Sequence, residues 1–313
     1  MRVLRDWRLV PEEWTGASAA LGNFDGVHRG HRALLDVAKH QAEATRRPSG
    51  AVIFEPHPQE YFRPDAPNFR LTSFDAKARL LERFGLDVLF ALRFDEELAA
   101  MTPERFVNEV LVKGLRLSHV VVGAEFQFGK GRSGNAATLR SLGIAQGLNV
   151  TVFDLVGAED GQKISSTRIR NALKEGRPRD AAADLGHWWT IEGHVVKGDQ
   201  RGRTIGFPTA NIALRNTLEP AEGVYAVRVT LEEEGEQKSY DGVANFGRRP
   251  TFDKKDVLLE VHLFNFAGDL YGKRLAVAFI DYIRGERKFD GLEALKAQIA
   301  ADSVNARQIL SAV

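Results

Sequence analysis

The apolar rhythm of this 313-residue chain changes once, and the change limits the folds open to it. Up to about residue 185, short apolar runs suited to strands fall at 18–21, 51–54, 88–93, 119–122 and 150–153. Helical patterns separate them at 32–44, 74–84, 103–113 and 137–146. Such strand–helix alternation predicts a parallel, Rossmann-like α/β sheet with helices on both faces and ligands at the carboxyl ends of its strands. A short helix at 168–175, ended by Gly176-Arg177-Pro178, and a further helical stretch at 181–185 close this half. From Trp189 the period becomes two: residues 190–197, 223–231, 239–246, 257–264 and 275–283 alternate as antiparallel strands do. With an amphipathic helix over 292–310, this half predicts a small antiparallel β-barrel and a C-terminal helix. The boundary is expected at residues 184–189, dividing the chain into domains 1–185 and 186–313.

The length suffices for two cores. A formal net charge of +1 argues against a bulk nucleic-acid binder or a protein drawn to acidic membranes. The absence of cysteine excludes disulfides, thiolate metal sites and thiol nucleophiles. Charges at Arg2, Arg5 and Asp6 come too early for a signal peptide, and no apolar run has the length of a membrane span. These features lead us to expect a cytoplasmic protein with neither nucleic-acid nor membrane partners; the oligomeric state is not legible.

The densest chemistry lies at residues 22–31, Gly-Asn-Phe-Asp-Gly-Val-His-Arg-Gly-His, between the first strand pattern and the first helix pattern. His28 and His31 then share one face of a helix N-terminus, where backbone N–H groups and the macrodipole favour anions. Gly22, Gly26 and Gly30 remove Cβ atoms that would keep a triphosphate from the backbone, with Asn23, Phe24 and Asp25 beside it. Ser165, Ser166, Thr167 and Arg168 stand where a later helix starts, so their hydroxyls and guanidinium suit a second grip on phosphate. Two further segments follow strand patterns. Phe54-Glu55-Pro56-His57-Pro58 holds His57 on an extended path. The loop 123–132, with Glu125, Phe126 and Phe128, offers aromatics to a planar ligand.

In the second half, residues 194–211 form a basic, glycine-containing loop (Lys197, Gly198, Gly202, Gly206) that leads into Pro208-Thr209-Ala210-Asn211. Glycines suit cover over phosphates, while Thr209 and Asn211 supply neutral oxygens for a hard cation. The spacing is not that of a Walker loop. Glu260 and His262 share one face of a strand pattern.

Taken together, the chain resembles the bifunctional riboflavin kinase/FAD synthetases of bacteria over nearly its full length. The resemblance rests on residues 22–31, 54–58, 70–73 with Lys77, 123–131, 164–170, 194–211, 242–251, 260–266, 269–272 and 284–289. It implies that the first domain, of nucleotidyltransferase type, transfers AMP from ATP to FMN, with His28 and His31 binding phosphates and stabilising charge on the α-phosphoryl group. Phe54, His57, Pro58, Glu125, Phe126 and Phe128 then belong to the FMN side; Glu125 departs from the smaller Asp or Asn usual in the family. In the kinase domain the resemblance implies that Thr209 and Asn211 hold Mg2+ with ATP and that Glu260 is the base. It also implies a nucleotide contact for Tyr271, and places Arg284, Arg287 and Phe289 beside the flavin. The small-molecule partners would be riboflavin, FMN, FAD and ATP. The alternatives are another His-x-Gly-His adenylyltransferase, or a non-catalytic module that binds flavin or nucleotide.

Overall fold

A computed structural model describes residues 1–154, 157, 161–197, 206–214, 216–233, 236–248 and 257–313. The chain divides into two compact units, and neither is one continuous stretch. The first comprises Met1–Pro67 and Phe74–Ser165; the second comprises Asn68–Ser73 and Ser166–Val313. Thus the two helices at 166–185, assigned by sequence to the first half, group with the barrel, as does a six-residue piece of the first half.

In the first unit six parallel strands stand in the order β1-β4-β3-β2-β5-β8. They are β1 (Arg2–Leu4), β2 (Ser18–Leu21), β3 (Ser49–Glu55), β4 (Val88–Arg93), β5 (His119–Gly123) and β8 (Asn149–Phe153). A small hairpin of β6 (Gln127–Phe128) and β7 (Gly134–Asn135) follows β5. β2 is buried throughout, and β3 and β4 at all but their last residues, because helices cover both faces of a parallel sheet. These are α1 (Arg29–Thr45), α2 (Pro58–Phe62), α3 (Phe74–Arg83), α4 (Glu96–Ala100), α5 (Pro103–Arg105) and α6 (Ala136–Ala145). The helix expected at 103–113 differs in kind: α5 runs into a π-helix, Phe106–Gly114, which buries Phe106, Val107, Val110 and Leu111. From β2 the chain passes to β3 on one side, then returns to β5 on the other. The ends of β2 and β5 therefore flank the topological switch point, where open α/β sheets bind ligands.

In the second unit α7 (Ser166–Lys174) and α8 (Pro178–Leu185) precede a closed antiparallel barrel of order β10-β13-β12-β11-β14-β9. Its strands are β9 (Thr190–Val196), β10 (Ala210–Ala213), β11 (Gly223–Glu233), β12 (Glu236–Arg248), β13 (Val257–Leu263) and β14 (Arg274–Arg284), followed by α9 (Leu292–Ser311). β10 was not expected from the sequence; four residues are too few to display a period. Alternation decides the faces. Leu259, Val261 and Leu263 join Ile212, Ala244, Phe246 and Val277 in the barrel interior. Outside, Val224, Ala226, Val243 and Ile280 pack under Ala306 and Leu310 of α9.

Candidate active sites

The loop from β2 to α1 is anchored by its apolar members. Phe24 and Val27 are fully buried and both take left-handed backbone angles, φ 48° and 44°, with Gly26 at 83°. Such angles cost a bulky or β-branched residue about 1–3 kcal/mol and persist where packing enforces them. Burial of those two side chains fixes the path of the loop into the helix start. His28 is the N-cap of α1: its Nδ1 accepts the His31 backbone N–H at 3.2 Å. That bond assigns the ring proton of neutral His28 to Nε2, a donor. The His28 and His31 rings stack at 3.5 Å with 16° between planes, and Phe24 meets His31 edge-on at 5.2 Å. Gly30 permits this: a Cβ there would lie 3.2 Å from the His28 ring and 3.8 Å from the Ile164 carbonyl oxygen. The histidine segment and the start of the second phosphate-suited segment are thereby adjacent. Ser165 ends the first unit, whereas Ser166, Thr167 and Arg168 open α7 of the second. There Arg168 Nε donates to Asp184 at 2.7 Å.

Asn23 and Asp25 lie in the same loop, Asp25 buried. Lys77, on α3 and only 2% exposed, donates from Nζ to the Asn23 carbonyl at 2.7 Å. The spacing of Lys77 from the loop hides that contact in the sequence.

An aromatic chain runs along the carboxyl edges of β3, β4 and β5. Phe54 meets Phe94 at 5.7 Å and Phe106 at 6.1 Å; Phe106 meets Phe128 at 5.6 Å, and Phe128 stacks on Phe126 at 5.6 Å. Tyr61 and Phe62 of α2 join through Phe94 at 5.3 and 5.7 Å, Phe62 being 63% exposed. Sequence reading named Phe54, Phe126 and Phe128 but missed Phe62, Phe94 and Phe106, which stand in no recognisable motif. His57 caps α2, its Nδ1 accepting the Gln59 N–H at 3.1 Å, and Pro58 is the first helical residue. Glu125 is exposed and ion-paired with Lys163.

In the barrel, Asn211 on β10 lies in register with Val196 of β9 on one side and Glu260 of β13 on the other. Asn211 is 5% exposed. Because Ile212, Leu259 and Val261 point inward, Asn211 and Glu260 share the outer face. Thr209, two residues before Asn211, precedes the strand. His262, two residues beyond Glu260, meets the Pro208 carbonyl through Nδ1 at 2.8 Å, so β13 holds the Pro-Thr-Ala-Asn segment directly. Gly206 takes φ 88°; Lys197 follows the end of β9; Gly198 and Gly202 lie outside the described residues. The turn carrying exposed Tyr271 is tied to β9, the Gly272 N–H donating to Val195 at 3.0 Å. Arg284 donates to both oxygens of buried Asp302 at 2.7–3.1 Å, and Arg287 donates to Gln298 at 3.0 Å. Both guanidiniums stand over Phe289, at 5.7 and 5.1 Å. The three residues expected beside the flavin therefore form one cluster against α9.

A histidine-capped helix at the switch point of a parallel sheet, followed by a closed barrel bearing a Thr-x-Asn segment opposite a glutamate, defines a two-part nucleotide-dependent transferase. The family model for FAD synthetase matches residues 10–168, and that for riboflavin kinase matches residues 185–310. The bifunctional riboflavin kinase/FMN adenylyltransferase of Escherichia coli K12 is 42% identical over 308 residues, covering 98% of this chain and 96% of its own. That of Bacillus subtilis is 37% identical, covering 97% and 95%. A solved structure titled a macrolide-efflux protein from Streptococcus pneumoniae superimposes with a TM-score of 0.85 at 32% identity, covering 97% and 98%. Among the described residues no helix is long and apolar enough to cross a membrane. The chain belongs to the bifunctional riboflavin kinase/FMN adenylyltransferase family. Its C-terminal part phosphorylates riboflavin to FMN with ATP, and its N-terminal part adenylylates FMN to FAD.

Proposed function

We propose that His28 and His31 hold the ATP phosphates during adenylylation, and that the stacked pair at the N-terminus of α1 carries this reading. An FMN phosphate oxygen attacks the α-phosphorus, forming one P–O bond as the bond to the bridging oxygen breaks and pyrophosphate leaves. The His28 Nε2–H and the first-turn amides stabilise charge that develops on the α-phosphoryl oxygens. Gly22, Asn23, Phe24, Asp25 and Gly26 line the nucleotide, with Ser165, Ser166, Thr167 and Arg168 as the second grip. Phe54, His57, Pro58, Glu125, Phe126 and Phe128 serve FMN, its ring system suiting the aromatic chain. Replacing both histidines by alanine is expected to lower FAD formation about a hundredfold or more, while riboflavin phosphorylation persists. Unchanged FAD output would remove them from the mechanism.

In the barrel, Thr209 and Asn211 are proposed to hold the Mg2+ that accompanies ATP. Two neutral oxygens next to the carboxylate of Glu260 suit a small hard cation whose remaining ligands are water and phosphate. When bound, Mg2+ neutralises charge on the β- and γ-phosphates. Lys197, Gly198, Gly202 and Gly206 cover the phosphates, Tyr271 contacts the nucleotide, and Arg284, Arg287 and Phe289 border the flavin. Glu260 accepts the proton of the primary hydroxyl of riboflavin as its oxygen bonds to the γ-phosphorus and ADP departs. A cytoplasmic, cysteine-free enzyme fits this role.

A further inference from the structure

Glu260 has a second polar neighbour, on the strand opposite Asn211. In the antiparallel pairing of β12 with β13, Asn245 stands directly across from Glu260. Ala244 and Phe246, on either side of Asn245, point into the barrel with Leu259 and Val261, so Asn245 and Glu260 share the outer face. Asn211, Glu260 and Asn245 thus make one row across three adjacent strands. Directly opposed side chains start from Cβ atoms about 4.5–5.5 Å apart, within reach of an amide–carboxylate hydrogen bond. A second acid lies close to Asn245. Gly247, two residues along the same face, has no Cβ, and the Glu286 carboxylate lies in that space; the Asn245 Nδ2 is 3.6 Å from where a Cβ would be. Asn245 therefore has two acids for neighbours, Glu260 across the strand pair and Glu286 beside Gly247, in the segment that carries Arg284, Arg287 and Phe289.

We infer that Asn245 is a positioning residue for riboflavin phosphorylation: its amide orients the Glu260 carboxylate from the side opposite Asn211. This rests on the reading of Glu260 as the base. An amide suits the place chemically. It can donate to a carboxylate without placing a charge beside it.

The test uses the full chain, riboflavin, ATP and magnesium, with conversion of supplied FMN to FAD as an internal control. Asn245→Ala is expected to lower kcat for phosphorylation about tenfold to a hundredfold, the scale of a misoriented catalytic group, with KM for ATP and FAD formation unchanged. Asn245→Asp, nearly isosteric, replaces the donor with an acceptor beside Glu260, so kcat should fall at least as far as in Asn245→Ala, again with KM for ATP unchanged. In a Glu260→Gln background, Asn245→Ala should add little, because both changes remove one function. Wild-type kcat in Asn245→Ala overturns the inference, as does wild-type kcat in Asn245→Asp or full additivity with Glu260→Gln. Failure of the base reading looks different: Glu260→Gln would itself keep wild-type kcat.

Discussion

The imidazole of His28 occupies a place usually held by serine, threonine, aspartate or asparagine, and so joins a helix cap to the proposed phosphate donor. The two roles use different ring nitrogens, which makes them separable. His28→Asn can still cap α1 through its side-chain oxygen but offers no Nε2–H. We expect its melting temperature to stay near wild type while FAD formation falls steeply; His28→Ala should lose activity and also about 1 kcal/mol of stability. Thermal melts beside FAD chromatography read both, and a destabilised His28→Asn would show that capping has been misassigned. In the barrel, Glu260→Gln keeps shape and removes basicity. Phosphorylation should drop roughly a hundredfold to ten-thousandfold, with supplied FMN still converted to FAD. Should ATP affinity fall instead while single-turnover phosphorylation at saturating ATP stays normal, Glu260 serves the nucleotide or the cation.

Between elements, buried polar groups fix register. His119 on β5 bridges its neighbours, Nδ1 meeting Ser18 Oγ of β2 and Nε2 meeting Thr151 Oγ1 of β8, each at 2.8 Å. Burial pushes its pKa below the ordinary 6.5. The unfolded chain thus takes up that proton more readily than the folded one, so the stability linked to His119 is fully present above about pH 6.5 and is lost progressively as pH falls below 6.5 towards the lower folded-state value. Denaturant melts between pH 7.5 and 5.5 should show a decline that His119→Gln reduces; an identical decline in that variant would place the sensitive group elsewhere. On the other unit, the bidentate pair of Arg284 with Asp302 joins β14 to α9, its members 21% and 5% exposed. Removing one partner of such a pair typically costs about 3 kcal/mol. Asp302→Ala should lower the kinase unit's melting temperature and loosen Arg284, raising KM for riboflavin.

On the scale of the whole chain, the barrel unit recruits sequence from far away. The Trp189 indole, 1% exposed, donates to the Leu71 carbonyl at 2.9 Å, the Leu218 N–H to the Arg70 carbonyl at 2.8 Å, and Arg170 Nε to the Phe69 carbonyl at 2.7 Å. Leu71 itself is fully buried in the same apolar cluster as Ile169, Trp189 and Tyr225. A fragment of residues 186–313 retains the barrel, Thr209, Asn211 and Glu260, so it should phosphorylate riboflavin and make no FAD. It also leaves the Trp189 N–H without its acceptor, a loss of about 1–3 kcal/mol for a buried donor. A fragment of residues 166–313 keeps α7 and α8 and should melt higher than 186–313, yet below the kinase unit of the full chain. Equal melting temperatures for all three would mean that segments 68–73 and 166–185 contribute nothing to the barrel; a folded 186–313 without kinase turnover would mean that its site borrows residues from them.

The elements whose burial is periodic were legible from order alone. Five parallel strands, five barrel strands and the terminal helix announce themselves because each presents one or two apolar faces to a core, and that demand is written locally. The histidine motif was legible for a similar reason, since a helix start next to a strand end brings its residues together by chain continuity. What tertiary structure alone decided is whatever depends on partners distant in sequence. Phe94 joins Phe54 because parallel strands align their ends, and Phe106 because the π-helix after β4 packs back against them. Asn245 comes to stand across from Glu260 only through strand register. Leu71 belongs to the barrel unit although residues on both sides of its short segment belong to the other. Local pattern records which face of an element is buried; which surface buries it is settled by packing among elements that no local pattern relates.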